Sequence, residues 1–141
     1  GAAALVMMKL STAQARGLTP LCKVVAHTTH AQKPAEFTIA PVGAMNKLLD
    51  KAGWNVNDVD LFEINEAFAM VTMLGIKKLD LDVNKVNVNG GGNPLGHPLG
   101  ASGARIMVTL IHALKNKGLS KGVASLCIGG GEATAIAVEM L

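Results

Sequence analysis

The sequence predicts an α/β fold in which helices cover both faces of a largely buried sheet. Half of the 141 residues are hydrophobic, whereas only 3% are aromatic and 16% are charged. Small apolar side chains are common, which is typical of helices packed closely against a buried sheet. Short β-branched runs also alternate with segments of helical period along the chain. A chain of this length can build one substantial core.

The N-terminal part of the chain predicts a strand, a helix and a second strand. Residues 2–10 are apolar and favour a buried strand, and residues 11–16 predict a short helix that ends at Gly17. Pro20 interrupts the chain, because proline cannot continue a helix. The second strand is predicted at residues 21–27.

The next predicted elements are a loop, a helix and a strand. Residues 32–39 have no clear period and predict a loop. Pro41 suits the first turn of a helix over residues 41–52, which carries apolar residues at helical spacing and ends at Gly53. Residues 59–64, Val-Asp-Leu-Phe-Glu-Ile, alternate apolar and acidic side chains as a strand does.

A polar pair, Asn65-Glu66, lies where this strand meets a helix predicted over residues 67–78. The inner side of that helix is predicted to carry Phe68, Val71, Leu74 and Gly75. Ligands often bind at such junctions, because polar side chains and helix N-termini converge at the carboxyl ends of strands. Asn and Glu are also common capping residues of helices. The pattern alone leaves both interpretations open.

A glycine-rich loop surrounds one histidine. Residues 87–103 hold six glycines, two prolines and His97. A short strand is predicted just before the loop at residues 86–89, and a strongly periodic helix follows it, so both ends of the loop are fixed. Pro98 favours an extended conformation at His97, and the glycines permit close approach of a ligand. His97 is therefore a candidate site residue, although an isolated loop histidine can also be a spectator.

The C-terminal part predicts a helix and a pair of strands. The helix begins near Ser102, its N-cap candidate, and ends at Gly118. Residues 123–128 and 133–139 predict antiparallel strands joined through three glycines. Cys127 lies just before these glycines, where unshielded N–H groups could form an oxyanion hole beside a reacting thiol. A lone cysteine on a strand can equally be a buried hydrophobic residue.

Composition and spacing argue against several function classes. The net charge of +3 is not gathered into a patch, and with one Trp and no Tyr we expect no nucleic-acid partner. No apolar run is long enough to span a membrane, so we expect no membrane association. Cys22 and Cys127 are far apart and fit a reducing, cytoplasmic environment. His27 and His30 have no acidic or thiol ligand near them, and we expect no metal site.

Three motifs make the chain similar to the thiolase family. They are Asn65-Glu66-Ala67-Phe68-Ala69, then Gly96-His97-Pro98 with Gly100-Ala101-Ser102-Gly103-Ala104-Arg105, and Cys127-Ile128-Gly129-Gly130-Gly131. The resemblance extends over essentially the whole chain, including Gly-Leu-Thr-Pro at residues 17–20. It implies a thiolase-like layered α/β fold, with a mixed five-stranded sheet and helices on both faces, which forms the C-terminal half of a two-domain enzyme.

The resemblance also implies a domain boundary. Residues 1–17 would be the last strand and connecting helix of the N-terminal domain, and residues 18–141 would be the C-terminal domain. The chain begins Gly-Ala-Ala-Ala inside an apolar segment, so we expect it to be part of a longer protein. Thiolases act as homodimers or homotetramers, and the same assembly is expected for the complete protein.

By the same resemblance, the expected activity is acyl transfer between coenzyme A thioesters. Thiolases join or cleave 3-ketoacyl-CoA through an acyl-enzyme on a cysteine of the N-terminal domain. Cys22 follows Gly-Leu-Thr-Pro and is interpreted as structural, so this chain alone should be inactive. Acyl-CoA molecules are the expected substrates, and no further cofactor is expected.

The resemblance assigns roles to five residues. His97 would activate the nucleophilic cysteine, and its imidazole, together with a water held by Asn65, would bind the thioester oxygen of the enolate. Cys127 would move the α-proton. The N–H of Gly129 would supply half of a second oxyanion hole, and Phe68 would line the acyl and pantetheine channel.

The sequence leaves two alternative functions open, and at one position it differs from the usual thiolase pattern. A non-catalytic thiolase-like protein that binds CoA or lipid is one alternative, although Asn65, His97 and Cys127 are all retained. A Cys–His hydrolase that uses Cys127 and His97 is another, but it would lack an orienting acid in a recognisable motif. The departure is Asn93-Pro94, where the family usually carries small or aliphatic residues, so the loop shape and acyl-chain preference could differ.

Overall fold

The computed structural model describes all 141 residues. Nine helices and strands follow one another along the chain. In order they are α1 (Leu10–Ala15), β1 (Cys22–Ala31), α2 (Ala40–Ala52), β2 (Leu61–Ile64), α3 (Ala69–Leu79), α4 (Gly92–Leu95), α5 (Ser102–Lys117), β3 (Lys121–Ile128) and β4 (Glu132–Met140). Short 3-10 turns occupy Pro34–Ile39, Val56–Asp58 and Val83–Lys85.

The strands form one mixed sheet in the order β1-β4-β3-β2. β3 and β4 form an antiparallel hairpin, and β1 pairs antiparallel with the other side of β4. β2 runs parallel to β3. Because parallel strands point the same way, the carboxyl ends of β2 and β3 meet at one end of the sheet.

Helices cover both faces of the sheet, as predicted. α2 and α3 pack on one face around 17 buried apolar residues, among them Leu48 and Phe62. α5 packs on the other face around nine buried apolar residues, among them Leu110 and Leu114. Gly122 of β3 permits this close packing, because a Cβ there would lie 2.8 Å from Leu114 and 2.9 Å from Leu110. We call these two sides the α2 face and the α5 face.

The predicted fifth strand is replaced by a single asparagine. Of residues 86–89, only Val86 forms a bridge, to Phe62 of β2. At Asn87 the chain turns away, with a left-handed φ of 48°. Its side-chain amide then accepts from the N–H of Ile64 (2.8 Å) and donates to the carbonyl oxygen of Ile64 (2.9 Å). The side chain thus makes the hydrogen bonds that another strand residue would make, so the sheet has four strands and not five.

The strand predicted over residues 2–10 is not formed. Residues 1–9 have neither helical nor strand structure, and Val6 is 88% exposed. None of the four strands takes these residues as a neighbour. Because an extended segment needs a hydrogen-bonding partner to persist as a strand, apolar sequence alone does not produce one here.

The other elements agree closely with the sequence. α2 and α5 end at Gly53 and Gly118, which have left-handed φ values of 68° and 64°. α3 begins later than predicted, so that Phe68 is its N-cap residue and is 58% exposed, not on the inner side. No helix of the chain combines the length and apolar character that crossing a membrane requires.

Candidate active site

Asn65 lies at the carboxyl end of β2, one residue beyond the strand. It is fully buried, and its N–H donates to the carbonyl oxygen of Ser125 on β3 (2.9 Å). This bond extends the parallel ladder and fixes the backbone of Asn65. The capping interpretation is wrong for this residue, because α3 begins only at Ala69 with Phe68 as its N-cap.

The imidazole of His97 is held by Ser102. The His97 Nδ1 atom lies 2.6 Å from the Ser102 hydroxyl oxygen, and that hydroxyl donates to the carbonyl oxygen of Pro98 (3.1 Å). Since the only hydroxyl hydrogen goes to Pro98, Ser102 accepts from an N–H at Nδ1. His97 Nε2 is then left with a free lone pair, which is the form that can take up a proton. Ser102 is the first residue of α5 and not its N-cap, which is Ala101.

Asn65 and His97 are brought together although they are 32 residues apart in sequence. Asn65 Nδ2 lies 3.4 Å from His97 Nε2. The amide supplies hydrogen-bond donors beside a nitrogen that accepts a proton. Such a pair can in chemical terms stabilise an oxyanion and transfer a proton at one place.

Glu66 fixes the glycine loop to the end of β2. Its carboxylate accepts from the N–H of Asn93 (2.9 Å). The same carboxylate lies against Gly91, where a Cβ would meet it at 2.3 Å. A side chain at position 91 would displace this carboxylate from the loop. Glu66 therefore acts on the loop and does not cap α3.

Cys127 lies near the same end of the sheet without contacting His97. It is opposite Ala133 in the β3–β4 hairpin and packs against the α2-face cluster. Burial raises the pKa of its thiol, while a backbone hydrogen bond at the same residue lowers it. Cys127 follows Ser125, the partner of Asn65, by two positions, which is about 7 Å along a strand. No hydrogen bond joins Cys127 to Asn65 or His97 in this chain.

The glycines after Cys127 form the turn between β3 and β4. Gly130 and Gly131 have positive φ values of 83° and 88°. Gly131 packs against the backbone that follows β1, and a Cβ there would lie 2.4 Å from the carbonyl oxygen of Gln32. Gly129 is exposed, a Cβ added to it would have no neighbour within 4 Å, and its N–H makes no backbone hydrogen bond. That N–H is free to bind a ligand oxygen.

Phe68 is an exposed aromatic residue beside the site. Its ring packs edge-on against Phe37, with centroids 5.9 Å apart. This contact joins the start of α3 to the 3-10 turn after β1. Despite this contact, more than half of the Phe68 surface stays exposed.

The sequence did not indicate the buried ion pair behind Asn65. Glu63 of β2 is only 2% exposed, and Arg105 of α5 lies 3.6 Å from it (Nη1 to Oε2). Burial raises the pKa of the Glu63 carboxyl to about 7, although the Arg105 guanidinium lowers it, and Glu66 raises it further. Arg105 Nη2 also approaches the Asn65 side-chain oxygen at 3.5 Å. The alternation of residues 59–64 predicted the strand, but it could not show that α5 covers the face that carries Glu63.

No three His, Cys, Asp or Glu side chains are grouped closely enough to hold a metal ion. His27 is exposed, and its carbonyl oxygen accepts from Lys51. His30 Nε2 contacts the Gln32 side chain at 3.0 Å instead of another metal-binding group.

Known proteins resemble this chain in sequence over its whole length. The sequence model of the thiolase C-terminal domain matches residues 18–140. A probable acetyl-CoA acetyltransferase from Dictyostelium discoideum is 51% identical over 141 residues, which are 100% of this chain and 34% of the relative. The cytosolic acetyl-CoA acetyltransferase of Mus musculus is 50% identical over 139 residues, or 99% of this chain and 35% of the relative.

Solved structures show the same relationship. The acetyl-CoA acetyltransferase of Bacillus anthracis superposes with a TM-score of 0.93 at 49% identity, covering 95% of this chain and 34% of that one. Human mitochondrial 3-ketoacyl-CoA thiolase in complex with CoA superposes with a TM-score of 0.91 at 41% identity. The match covers 94% of this chain and 33% of that one. The chain therefore spans about a third of the length of these relatives. Its matches confirm the resemblance seen in the motifs: this chain belongs to the thiolase family and corresponds to the C-terminal domain.

Proposed function

We propose that this chain is the catalytic C-terminal domain of a thiolase that transfers acyl groups between coenzyme A thioesters. The reaction is a Claisen condensation, or in reverse the thiolytic cleavage of a 3-ketoacyl-CoA. The observation that carries the proposal is the convergence of the Asn65 amide and the His97 imidazole, 3.4 Å apart at the end of β2. The shared family supports it, because the relatives include acetyl-CoA acetyltransferases and a 3-ketoacyl-CoA thiolase.

In the first stage, His97 acts as the general base. Ser102 accepts the hydrogen bond from Nδ1, so Nε2 can take the proton of a cysteine thiol that the N-terminal domain supplies. The thiolate attacks the acyl-CoA carbonyl, and CoA departs as its thiolate while His97 keeps the proton. The free N–H of Gly129 donates to the oxyanion that forms at the acyl carbon. The products are the acyl-enzyme and free CoA.

In the second stage, Cys127 transfers a proton at the α-carbon of a second acyl-CoA. In condensation its thiolate removes the proton, the enolate carbon attacks the acyl-enzyme carbonyl to form a C–C bond, and the nucleophilic cysteine departs with the proton of His97. In cleavage the C–C bond breaks, and the Cys127 thiol returns a proton to the enolate carbon. The raised pKa favours the thiol form at rest, which suits proton donation to the enolate in the cleavage direction. The enolate oxygen receives hydrogen bonds from protonated His97 and from a water that Asn65 holds.

The substrate and partners follow from the same proposal. Phe68 is exposed near the site and would line the channel for the acyl and pantetheine chain. The N-terminal domain supplies the nucleophile, and the complete protein forms a homodimer or homotetramer. A cytoplasmic location is supported by the 50% identity to a cytosolic relative, compared with 41% to the mitochondrial one. No metal or further cofactor is needed, because hydrogen bonds alone can stabilise the enolate.

The test compares the chain alone with the chain joined to an N-terminal thiolase domain. We expect turnover of a short 3-ketoacyl-CoA with CoA only in the joined protein, since the nucleophile lies outside this chain. Turnover by the chain alone would contradict the proposal that the N-terminal domain supplies the nucleophile. CoA binding by the joined protein, with no acyl-enzyme in a mass spectrum, would instead identify a non-catalytic CoA-binding protein.

A further inference from the structure

A buried ion pair lies directly behind the Asn65 amide. Arg105 of α5 reaches across the α5 face, with Nη1 3.6 Å from Glu63 Oε2 and Nη2 3.5 Å from Asn65 Oδ1. The Arg105 side chain is 18% exposed and that of Glu63 only 2%. Three atoms of this pair have no hydrogen-bond partner in the chain, namely Glu63 Oε2, Arg105 Nε and Arg105 Nη1.

Stability does not explain this arrangement. A guanidinium and a carboxyl group that are taken out of water lose their hydration, and only short hydrogen bonds compensate for that loss. Here the closest approach between the charges is 3.6 Å, and the remaining polar atoms are unsatisfied. Apolar residues of the same size would serve the packing between β2 and α5 better. The contact of the pair with the Asn65 amide accounts for it better.

Arg105 constrains which way the Asn65 amide faces. A guanidinium carries only donors, so the Asn65 atom beside it is the oxygen. The NH2 group then points to the opposite side, where His97 Nε2 lies 3.4 Å away. If the amide turned over, its NH2 would meet the guanidinium donors in a buried space, and its oxygen would face the unprotonated Nε2. Both contacts would be unfavourable.

We propose that Arg105, anchored by Glu63, is a positioning residue that fixes the orientation of the Asn65 amide, so that Asn65 presents donors to the reacting groups. The inference deepens the proposed function and rests on it. Asn65 can bind a water or an enolate oxygen as a donor only in this orientation. Arg105 itself stays behind Asn65 and acts through it.

A double-mutant cycle in the joined two-domain enzyme tests this role. Arg105→Met removes all donors at similar length, and we expect it to slow α-proton exchange with solvent deuterium about 10–100-fold, as loss of a supporting residue commonly does. Acyl-enzyme formation should change much less. In an Asn65→Ala background, Arg105→Met should have almost no additional effect on exchange, because the amide it orients is gone.

A merely structural role would give a different pattern. It would lower acylation and exchange equally, or slow exchange equally in both backgrounds, and either result would overturn the proposal. Arg105→Lys keeps a positive charge beside Glu63 and serves as a second variant in case Arg105→Met does not fold. We expect its rate of α-proton exchange to lie between those of Arg105→Met and the unmutated enzyme. Lys115→Gln is the matched control, because Lys115 is an exposed cation on the same helix, and it should leave both rates unchanged.

One measurement does not depend on activity. Neutron diffraction from crystals of the two-domain protein in deuterated solvent shows which Asn65 atom carries the deuterons. We expect them on the atom that faces His97, and deuterons on the atom that faces Arg105 would overturn the proposal. If the unmutated enzyme had no activity, the proposed function would fail, while this measurement would still decide the orientation of the amide.

Discussion

The α2 face of the sheet carries the larger apolar cluster, whereas the α5 face combines a smaller cluster with buried polar groups at one end. On the α2 face, 17 apolar residues surround Leu48 and Phe62. On the α5 face, nine apolar residues are followed, toward the carboxyl end of β2, by Glu63, Asn65 and Arg105. The two helices therefore have different tasks: α2 stabilises the fold, and α5 also shapes the site.

The largest expected effect lies on the α5 face, at His97. His97→Ala removes the base of the first stage and a donor to the enolate in the second, and each loss typically costs about 10²–10⁴-fold. We expect both acyl-enzyme formation and α-proton exchange to fall at least that far, while the unfolding midpoint stays nearly unchanged. The control is His112→Ala, which changes an exposed histidine of α5. A loss of less than tenfold would remove His97 from the mechanism.

Cys127 is an exception to the division between the two faces, because it packs against the α2-face cluster and yet has a proposed chemical role. In Cys127→Ala we expect α-proton exchange to fall about 10²–10⁴-fold, as for a lost general base, while the burst of covalent acylation survives. Mass spectrometry and solvent deuterium exchange measure the two steps. Cys22→Ala, the other half-buried cysteine, should change neither. Loss of acylation with retained exchange would reverse the assigned roles.

Leu48→Ala tests whether the α2 face contributes to stability alone. Leu48 is fully buried against the sheet, so we expect a loss of about 2–5 kcal/mol in the free energy of unfolding from lost contacts and the resulting cavity. Turnover per folded molecule should remain unchanged. Urea unfolding and titration of active sites measure the two quantities. Leu99→Ala, at a position 81% exposed, should cost little. A fall in turnover per active site would show that this face also supports catalysis.

The smallest expected effect concerns pH and the Glu63 carboxyl. Its pKa is raised from 4.5 to about 7, mainly by burial, so the folded protein binds this proton more tightly than the unfolded chain does. The resulting stabilisation is complete below about pH 4.5 and is lost as the pH rises through 7; at most it is about 3 kcal/mol. Glu63→Gln should flatten this dependence in urea midpoints measured from pH 5 to 8. An unchanged slope would show that Glu63 is ionised when folded.

The elements that the sequence predicted well are those with local signals. Helical period and terminal glycines predicted α2 and α5 closely, because these signals are local. The motifs identified Asn65 and His97, whose contact is now seen. The catalytic roles of all five residues stay predictions, namely those of Asn65, His97, Cys127, Gly129 and Phe68, as does the domain boundary near residue 17.

What the sequence did not predict depends on contacts between distant residues. Arg105 and Glu63 are 42 positions apart, and neither has a local pattern that indicates the other. The role of Ser102 depends on where the His97 ring points, and the pattern of α5 suggested only a cap. Alternation over residues 86–89 predicted a strand, but it could not show that Asn87 would substitute its side chain for the backbone.

That substitution at Asn87 also occupies groups through which another chain could extend the sheet. The outer edge of an edge strand offers free N–H and carbonyl groups to which another chain can add, as in domain swapping and amyloid growth. Along β2 the Asn87 side chain already occupies both groups of Ile64, and the N–H of Asn87 occupies the carbonyl oxygen of Phe62 (2.9 Å). One asparagine therefore closes this edge without a further strand, and only the edge at β1 remains open to a neighbouring chain.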